Sequence, residues 1–240
     1  LQFNTRTGGV EGSSGAASAG QPLYTTRTPW GWASSVAWSD LVVRRFARGD
    51  VARFNAKSTP ENDRLPDAYR NHAYRYSLAV TRSFGWRQKF NVTFGGEVNL
   101  KDARVEGVES FNPRAVEEFR RVRLPVGERR VGPFVQIRNY ATNFMRILDH
   151  ETLGLQEDVR MGQDLSLSAY PVLRALGSTR DFMGFLANAQ YTLPVGKDGL
   201  LRAFVENLVE TDLGSISDAY FNADVRFSTP RTPLGRLILD

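Results

Sequence analysis

The sequence predicts an all-β protein made of long antiparallel strands. Residues 89–100 alternate apolar and polar side chains with almost no error, and Phe90, Val92 and Phe94 share the apolar phase. Because a strand sends successive side chains to opposite faces, this segment has one apolar face and one polar face. Its length matches the roughly 9–11 residues that a tilted strand needs to cross the hydrocarbon of a bilayer, whereas soluble strands average five or six.

The connections between strands give the second observation. The sequence alternates tight turns with long polar loops, which is the organisation of outer-membrane barrels. The predicted fold class is therefore all-β, an antiparallel transmembrane β-barrel with short turns on one side and long loops on the other.

The clearest hairpin ends in the strand described above. Its first arm has an apolar phase made of Tyr74, Tyr76, Leu78 and Val80. A turn at residues 83–86 joins the arms, and it carries Phe84 and Trp86, where the aromatic girdle of a membrane barrel is expected.

Strand-like alternation recurs at residues 131–140, 163–170, 183–193 and 219–227. Residues 200–211 fit a helical stripe better than an alternation, but we predict a strand because their neighbours are strands. Within a long external loop at 101–130, Pro113 and the apolar residues that follow it predict a short helix. About ten strands are expected in all.

The domain organisation follows from composition. Residues 1–22 are small and polar, and we predict a flexible N-terminal segment. Residues 23–240 carry the barrel strands, as part of a larger barrel. A hairpin is expected to turn at Arg48-Gly49-Asp50, and residues 57–71 are expected to be a surface loop.

Composition narrows the function classes. The 240 residues include no cysteine, which excludes disulfides, thiolate metal sites and cysteine nucleophiles. No run of 18 apolar residues exists, so no transmembrane helix is predicted. The net charge of +5 includes a basic run at 117–130, but no nucleic-acid motif accompanies it. We expect this run to contact anionic lipid or lipopolysaccharide, or to be a solvated loop, and we expect no nucleic-acid partner.

No catalytic chemistry is indicated. His72 and His150 lack the HExxH spacing of a zinc protease, and no Gly-x-Ser-x-Gly elbow occurs. We therefore predict a non-enzymatic protein with no catalytic, cofactor-binding or metal residues. Glu157, Asp158 and Arg160 form the most distinctive charge cluster, and they are expected either to form a lumen or loop network or to lie in an exposed loop.

The alternation also assigns a set of residues to lipid. The predicted lipid-facing residues are Tyr74, Tyr76, Leu78, Val80, Phe90, Val92, Phe94, Val98, Phe221, Val225 and Phe227.

Four segments, at residues 22–40, 81–98, 132–140 and 153–167, resemble in their order the barrel of the Omp85 superfamily, the surface-antigen barrels of BamA and TamA type. The resemblance covers roughly residues 20–230. It implies a barrel in the outer membrane of a Gram-negative bacterium that inserts or translocates client proteins by opening between its first and last strands. It also implies a fragment lacking the C-terminal strands. The family's Arg-Gly-aromatic motif is absent, because the one Arg-Gly pair precedes Asp50.

Two alternatives remain open at this stage. A passive pore or structural envelope barrel would suit a lumen with Arg75 and Arg226 in the polar phase. A soluble β-sandwich binding module would place the apolar phase against a second protein layer instead of lipid.

Overall fold

The computed structural model describes residues 2–6, 9–60, 62–150, 152, 154–212, 214–233 and 235–239, with side chains from Glu11 onward. The strands are β1 (Gln2–Arg6), β2 (Gly9–Gln21), β3 (Trp30–Arg44), β4 (Phe46–Ala47), β5 (Asp50–Val51), β6 (Arg53–Phe54), β7 (Leu65–Pro66), β8 (Ala68–Phe84), β9 (Gln88–Arg104), β10 (Glu128–Ala141), β11 (Asn143–Leu148), β12 (Gln156–Val172), β13 (Phe182–Val195), β14 (Gly199–Asp212), β15 (Ser215–Ser228) and β16 (Ile238–Leu239). One α-helix, α1 (Pro113–Arg123), and one 3-10 turn (Arg174–Leu176) complete the described elements.

One large antiparallel sheet dominates the molecule. Twelve strands take part, in the order β1-β2-β3-β8-β9-β10-β12-β13-β14-β15-β16, with β11 continuing β10 alongside β12. Each long strand pairs with the next long strand in the sequence, so the sheet is an up-and-down meander. In the described residues β1 and β16 each have one neighbour and do not pair with each other.

The structure confirms the predicted antiparallel β-architecture and most of the predicted elements. The opening segment lies in β9 and its hairpin partner in β8, with Val80 opposite Phe94. The ambiguous segment is strand β14, paired on both sides along its length. The predicted turn at Arg48 and Gly49 joins β4 to β5.

The N-terminal segment differs from the prediction. Gly9–Gln21 forms strand β2, not a linker, and it pairs with β3. Its small residues suit this position because Trp38 lies opposite Gly15, and a Cβ on Gly15 would come within 2.5 Å of the Trp38 ring. The small residues that predict a flexible segment therefore leave room for a large aromatic side chain on the neighbouring strand.

The two ends of the sheet differ in their connections. The longest connections, 45–67 and 105–127, are both at one end, which we call the long-loop end. The connections 85–87 and 196–198 are at the opposite, short-turn end. The tight turn between β14 and β15 is also at the long-loop end, and the connections 22–29 and 149–155 at the short-turn end are of intermediate length.

The two longest connections pack together into a small unit at the long-loop end, which we call the loop module. Helix α1 starts at Pro113, and the side chain of Asn112 accepts a hydrogen bond from Arg114 N (3.0 Å). The helix buries one face against the β6–β7 hairpin, with the Phe54 and Phe119 ring centroids 5.3 Å apart. The buried core of the module comprises Phe54, Ala56, Leu65, Ala115, Val116 and Phe119. The predicted helix in a long loop is confirmed.

Glu118 joins the two halves of the loop module. Its carboxylate accepts hydrogen bonds from the backbone N–H groups of Lys57 (3.0 Å) and Ser58 (2.8 Å). Hydrogen bonds from the Ser58 side chain and from these two N–H groups lower the pKa of Glu118 below its ordinary value of 4.5. Because the folded pKa is depressed, Glu118 stabilises the module fully above the ordinary value, and this stabilisation is lost as pH falls through the lowered value.

We predict that acidification through the lowered pKa of Glu118 releases the 57–58 segment from α1. Hydrogen-exchange protection of the Lys57 and Ser58 amides, corrected for the intrinsic rate at each pH, is expected to fall with decreasing pH. Glu118→Gln is expected to show low protection at all pH values. Glu117→Gln is the control, because Glu117 lies on the exposed side of the helix, where it pairs with Arg120 (3.7 Å). Unchanged protection in Glu118→Gln would contradict this role.

Candidate functional site

One face of the sheet is apolar and exposed. Directly opposite residues of antiparallel strands share a face, and the register brings Val36, Tyr76 and Val98 into one row. The same face continues through β10 and β12, where Ile137 lies opposite Leu167. It extends to β15, where Phe221 is 66% exposed. We call this surface the apolar face.

The predicted lipid-facing residues all lie on the apolar face. Leu78 is 45% exposed and Phe94 is 61% exposed, and most of the other members are exposed to a similar degree. Val92, Val98 and Phe227 are half-buried between their neighbours. The structure thus brings the whole set together on one surface, and their contact with lipid stays a prediction.

Charged residues bound the apolar face at both ends of β8. Toward the long-loop end, Asp40, His72 and Asp102 form one row across β3, β8 and β9, with His72 Nδ1 3.5 Å from Asp40 Oδ1. Toward the short-turn end, Arg82 is the next charged side chain in the same phase, opposite Trp30. Between these limits the face on β8 is entirely apolar.

The opposite face is polar, and its side chains pair with one another across the strands. Ser35 and Ser77 hydroxyls are 2.8 Å apart, as are those of Thr81 and Thr93. Arg75 binds Glu97 through two hydrogen bonds of 3.0 and 3.1 Å. Paired hydrogen-bonding groups of this kind remove the penalty of holding polar atoms away from bulk water.

A second ion-pair group continues the polar face. Arg138 donates two hydrogen bonds, of 2.7 and 2.6 Å, to the Asp164 carboxylate. Arg160 donates a third to the same carboxylate (3.0 Å) and stacks over the Tyr140 ring. Planar bidentate pairing fixes the orientation of both side chains.

The most buried charge on the polar face is Glu210, whose residue is only 2% exposed. Its carboxylate accepts hydrogen bonds from Arg130 Nη1 (2.7 Å), Arg180 Nη2 (3.3 Å) and the Tyr170 hydroxyl (3.1 Å). Glu128 binds the same two arginines from the other side. We call Glu128, Arg130, Tyr170, Arg180 and Glu210 the Glu210 cluster.

A glycine makes this cluster possible. Gly184 lies between Tyr170 and Glu210 in the sheet register. A Cβ at Gly184 would lie 2.1 Å from the Tyr170 ring. The missing side chain therefore lets the Tyr170 ring cross β13 and reach a carboxylate on β14.

The polar face is concave. Arg130 on β10 and Glu210 on β14 are three strand spacings apart, or about 14 Å in a flat sheet. Arg75 on β8 and Leu186 on β13 line the same cavity of about 360 Å³, together with Tyr170. Such contacts require a sheet that curls with its polar side inward.

The predicted cluster Glu157, Asp158 and Arg160 has three separate sets of contacts. Glu157 Oε1 accepts a hydrogen bond from Thr152 N (2.7 Å) in the β11–β12 turn. Asp158 forms an exposed pair with Arg146 across that hairpin (3.4 Å). Arg160 alone joins the ion pairs of the polar face. These contacts of the three side chains thus differ, and Arg160 is the one that they join to the polar face.

Sequence reasoning missed the Glu210 cluster. Its members come from β10, β12, β14 and the loop before β13, and no local motif links them. Two signals were present: Glu210 is a charge in a largely apolar segment, and Gly184 interrupts a strand pattern. His150 is buried in the β11–β12 turn. No group of three or more His, Asp or Glu side chains that could hold a metal ion occurs among the described residues.

Comparison of the chain with protein-family models, curated proteins and solved structures finds no significant match. Of the helices within the described ranges, none is long and apolar enough to span a membrane.

We predict that Gly184→Ala disrupts the Glu210 cluster. The new methyl group would displace the Tyr170 ring, and overpacking of this kind costs about 1–3 kcal/mol of unfolding free energy. Gly96→Ala is the matched control, because a Cβ there would meet nothing nearer than Gly132 O at 3.8 Å. Denaturant unfolding of both variants under the same conditions checks this, and equal stabilities would contradict the proposed ring crossing.

Proposed function

We propose that this chain forms membrane-spanning strands of a β-barrel in the outer membrane of a Gram-negative bacterium. In this arrangement the apolar face contacts lipid and the concave polar face lines an aqueous interior. The observation that carries the proposal is the apolar face itself, a continuous exposed surface from β3 to β15. Contiguous apolar patches of this extent are rare on soluble monomers.

The dimensions of the apolar face support the proposal. From His72 to Arg82 is ten positions along β8, or roughly 33 Å at the usual rise per residue. At a strand tilt of about 40° this corresponds to a height of roughly 25 Å, which matches the apolar band of outer-membrane barrels. The charged residues that bound the band would then lie at the two membrane surfaces.

The alternative of a soluble β-sandwich needs a second layer over the apolar face. Helix α1, the single α-helix of the described part, packs against β6 and β7 in the loop module. The ion pairs of the opposite face also favour the barrel over the sandwich, because they give the concave side a polar surface that suits water.

We propose further that the chain acts in the insertion or translocation of client proteins, as members of the Omp85 superfamily do. The support for this role is the resemblance of the four ordered segments. The competing role is a passive pore, which is favoured by the charged lining of the concave face, where Arg75, Glu97 and Asp164 lie.

A matched pair of charge substitutions tests the membrane proposal. Leu78→Arg places a charge at the centre of the apolar face and is expected to cost about 2–4 kcal/mol of folding free energy in vesicles. Ser77→Arg, one residue away on the polar face, is expected to lose only about 1 kcal/mol through the hydrogen bond to Ser35. Urea titration of folding into phospholipid vesicles measures both. Equal effects at the two positions would contradict the proposal.

A vesicle assay separates the two roles. If the chain acts on clients, vesicles containing it should insert an unfolded outer-membrane protein faster than vesicles containing an unrelated barrel at the same density. Ion conductance without faster insertion would instead favour the passive pore.

A further inference from the structure

Two turns at the short-turn end are fixed side by side. Lys89 is 3% exposed, and its ammonium group donates hydrogen bonds to Thr26 O (2.7 Å) in the β2–β3 turn and to Gly85 O (3.3 Å) in the β8–β9 turn. Within the first turn, the Thr25 hydroxyl accepts hydrogen bonds from Arg27 N and Thr28 N. The backbone of both turns is therefore ordered by named contacts, and a buried positive charge lies between them.

Each turn region carries an arginine stacked on an exposed aromatic ring. The Arg27 guanidinium lies 4.8 Å from the centre of the Trp86 ring. The Arg82 guanidinium lies 4.8 Å from the Trp30 ring and 5.3 Å from the Phe84 ring. Stacking uses the face of a guanidinium and leaves its N–H edges free to bind an oxyanion.

In the described part of the chain, neither arginine is paired with a carboxylate. Residues 22–39 and 68–96 contain no Asp or Glu. Among the side chains that the structure describes, Arg27 and Arg82 form no ion pair, whereas Arg75, Arg130 and Arg138 all do. Together with Lys89 they leave the two turns with uncompensated positive charge.

The position of Arg82 indicates where its partner lies. Arg82 projects from the apolar face, in the phase of Leu78 and Val80. A lipid-facing arginine costs about 2–4 kcal/mol at the membrane midplane and close to nothing at the interface. Trp30, Trp86 and Phe84, each about half exposed, are residue types that concentrate at the interface.

We propose that Arg27 and Arg82, with Trp30 and Trp86, form a docking site for the headgroup phosphate of an anionic phospholipid at the short-turn end. The inference rests on the proposed membrane function and specifies one lipid contact within it. The arginine N–H edges bind the phosphate oxygens, the aromatic rings line the start of the acyl chains, and the Lys89 contacts hold the two turns in place.

Native mass spectrometry of the full chain in detergent tests this site, with phosphatidylglycerol and phosphatidylcholine as the titrated lipids. The wild-type chain is expected to bind phosphatidylglycerol more tightly. The double variant Arg27→Gln with Arg82→Gln is expected to weaken phosphatidylglycerol binding about 25-fold, because each arginine near a membrane surface contributes a factor of about five. Its binding of phosphatidylcholine is expected to stay unchanged. Arg114→Gln with Arg121→Gln removes the same charge from exposed positions of α1 and is expected to change neither affinity.

The competing outcomes are distinct. Unchanged phosphatidylglycerol affinity in the Arg27 and Arg82 variant overturns the site while leaving the membrane proposal standing. Displacement of phosphatidylglycerol by inorganic phosphate at an equal molar concentration also overturns the proposed site, because the two arginines would then bind a free anion and not a lipid. A chain that stays soluble without detergent and binds neither lipid overturns both the site and the membrane proposal.

Discussion

The constraint on which this structure depends is the two-residue period of its long strands. It places most of the large apolar side chains of the sheet on one surface and the paired charges on the other. Many side chains of the polar surface pair within the chain through hydrogen bonds and ion pairs between strands. The described residues do not cover the apolar surface in the same way, because they leave Leu78, Phe94 and Phe221 exposed. The surroundings must therefore supply the missing apolar contacts.

The curl of the sheet follows from contacts on its polar side. The Glu210 cluster connects strands that would be far apart in a flat sheet, and it does so because Gly184 lets the Tyr170 ring pass over β13. At the short-turn end, Arg236 is nearly buried and binds Leu148 O, Asp198 O and Thr229 O, which ties the residues after β15 to the β11 end. The loop module, in contrast, has its own small apolar core and packs like an ordinary soluble unit.

Much of the sheet could be predicted from local patterns. The alternation in β8 and β9, the turn at Arg48, and the helix after Pro113 are determined by residues close together in the sequence, so their signals are visible there. Strand β2 could not be predicted, because what makes Gly15 suitable is a tryptophan on another strand. The Glu210 cluster could not be predicted either, since its members meet only through the register of four strands and the curl of the sheet.

The measurement that tests the central claim most directly is a spin-label accessibility scan along β9 in phospholipid vesicles. The chain has no cysteine, so single cysteines at positions 91–94 and 96–98 can be labelled without background. Gly95 is left unchanged, because a Cβ there would lie 2.4 Å from the Phe134 ring. If the apolar face contacts lipid, accessibility to oxygen should peak at positions 92, 94, 96 and 98, and accessibility to a water-soluble nickel complex should peak at 91, 93 and 97. Equal exposure of both sets to the nickel complex would contradict the account, because the apolar face would then be in water.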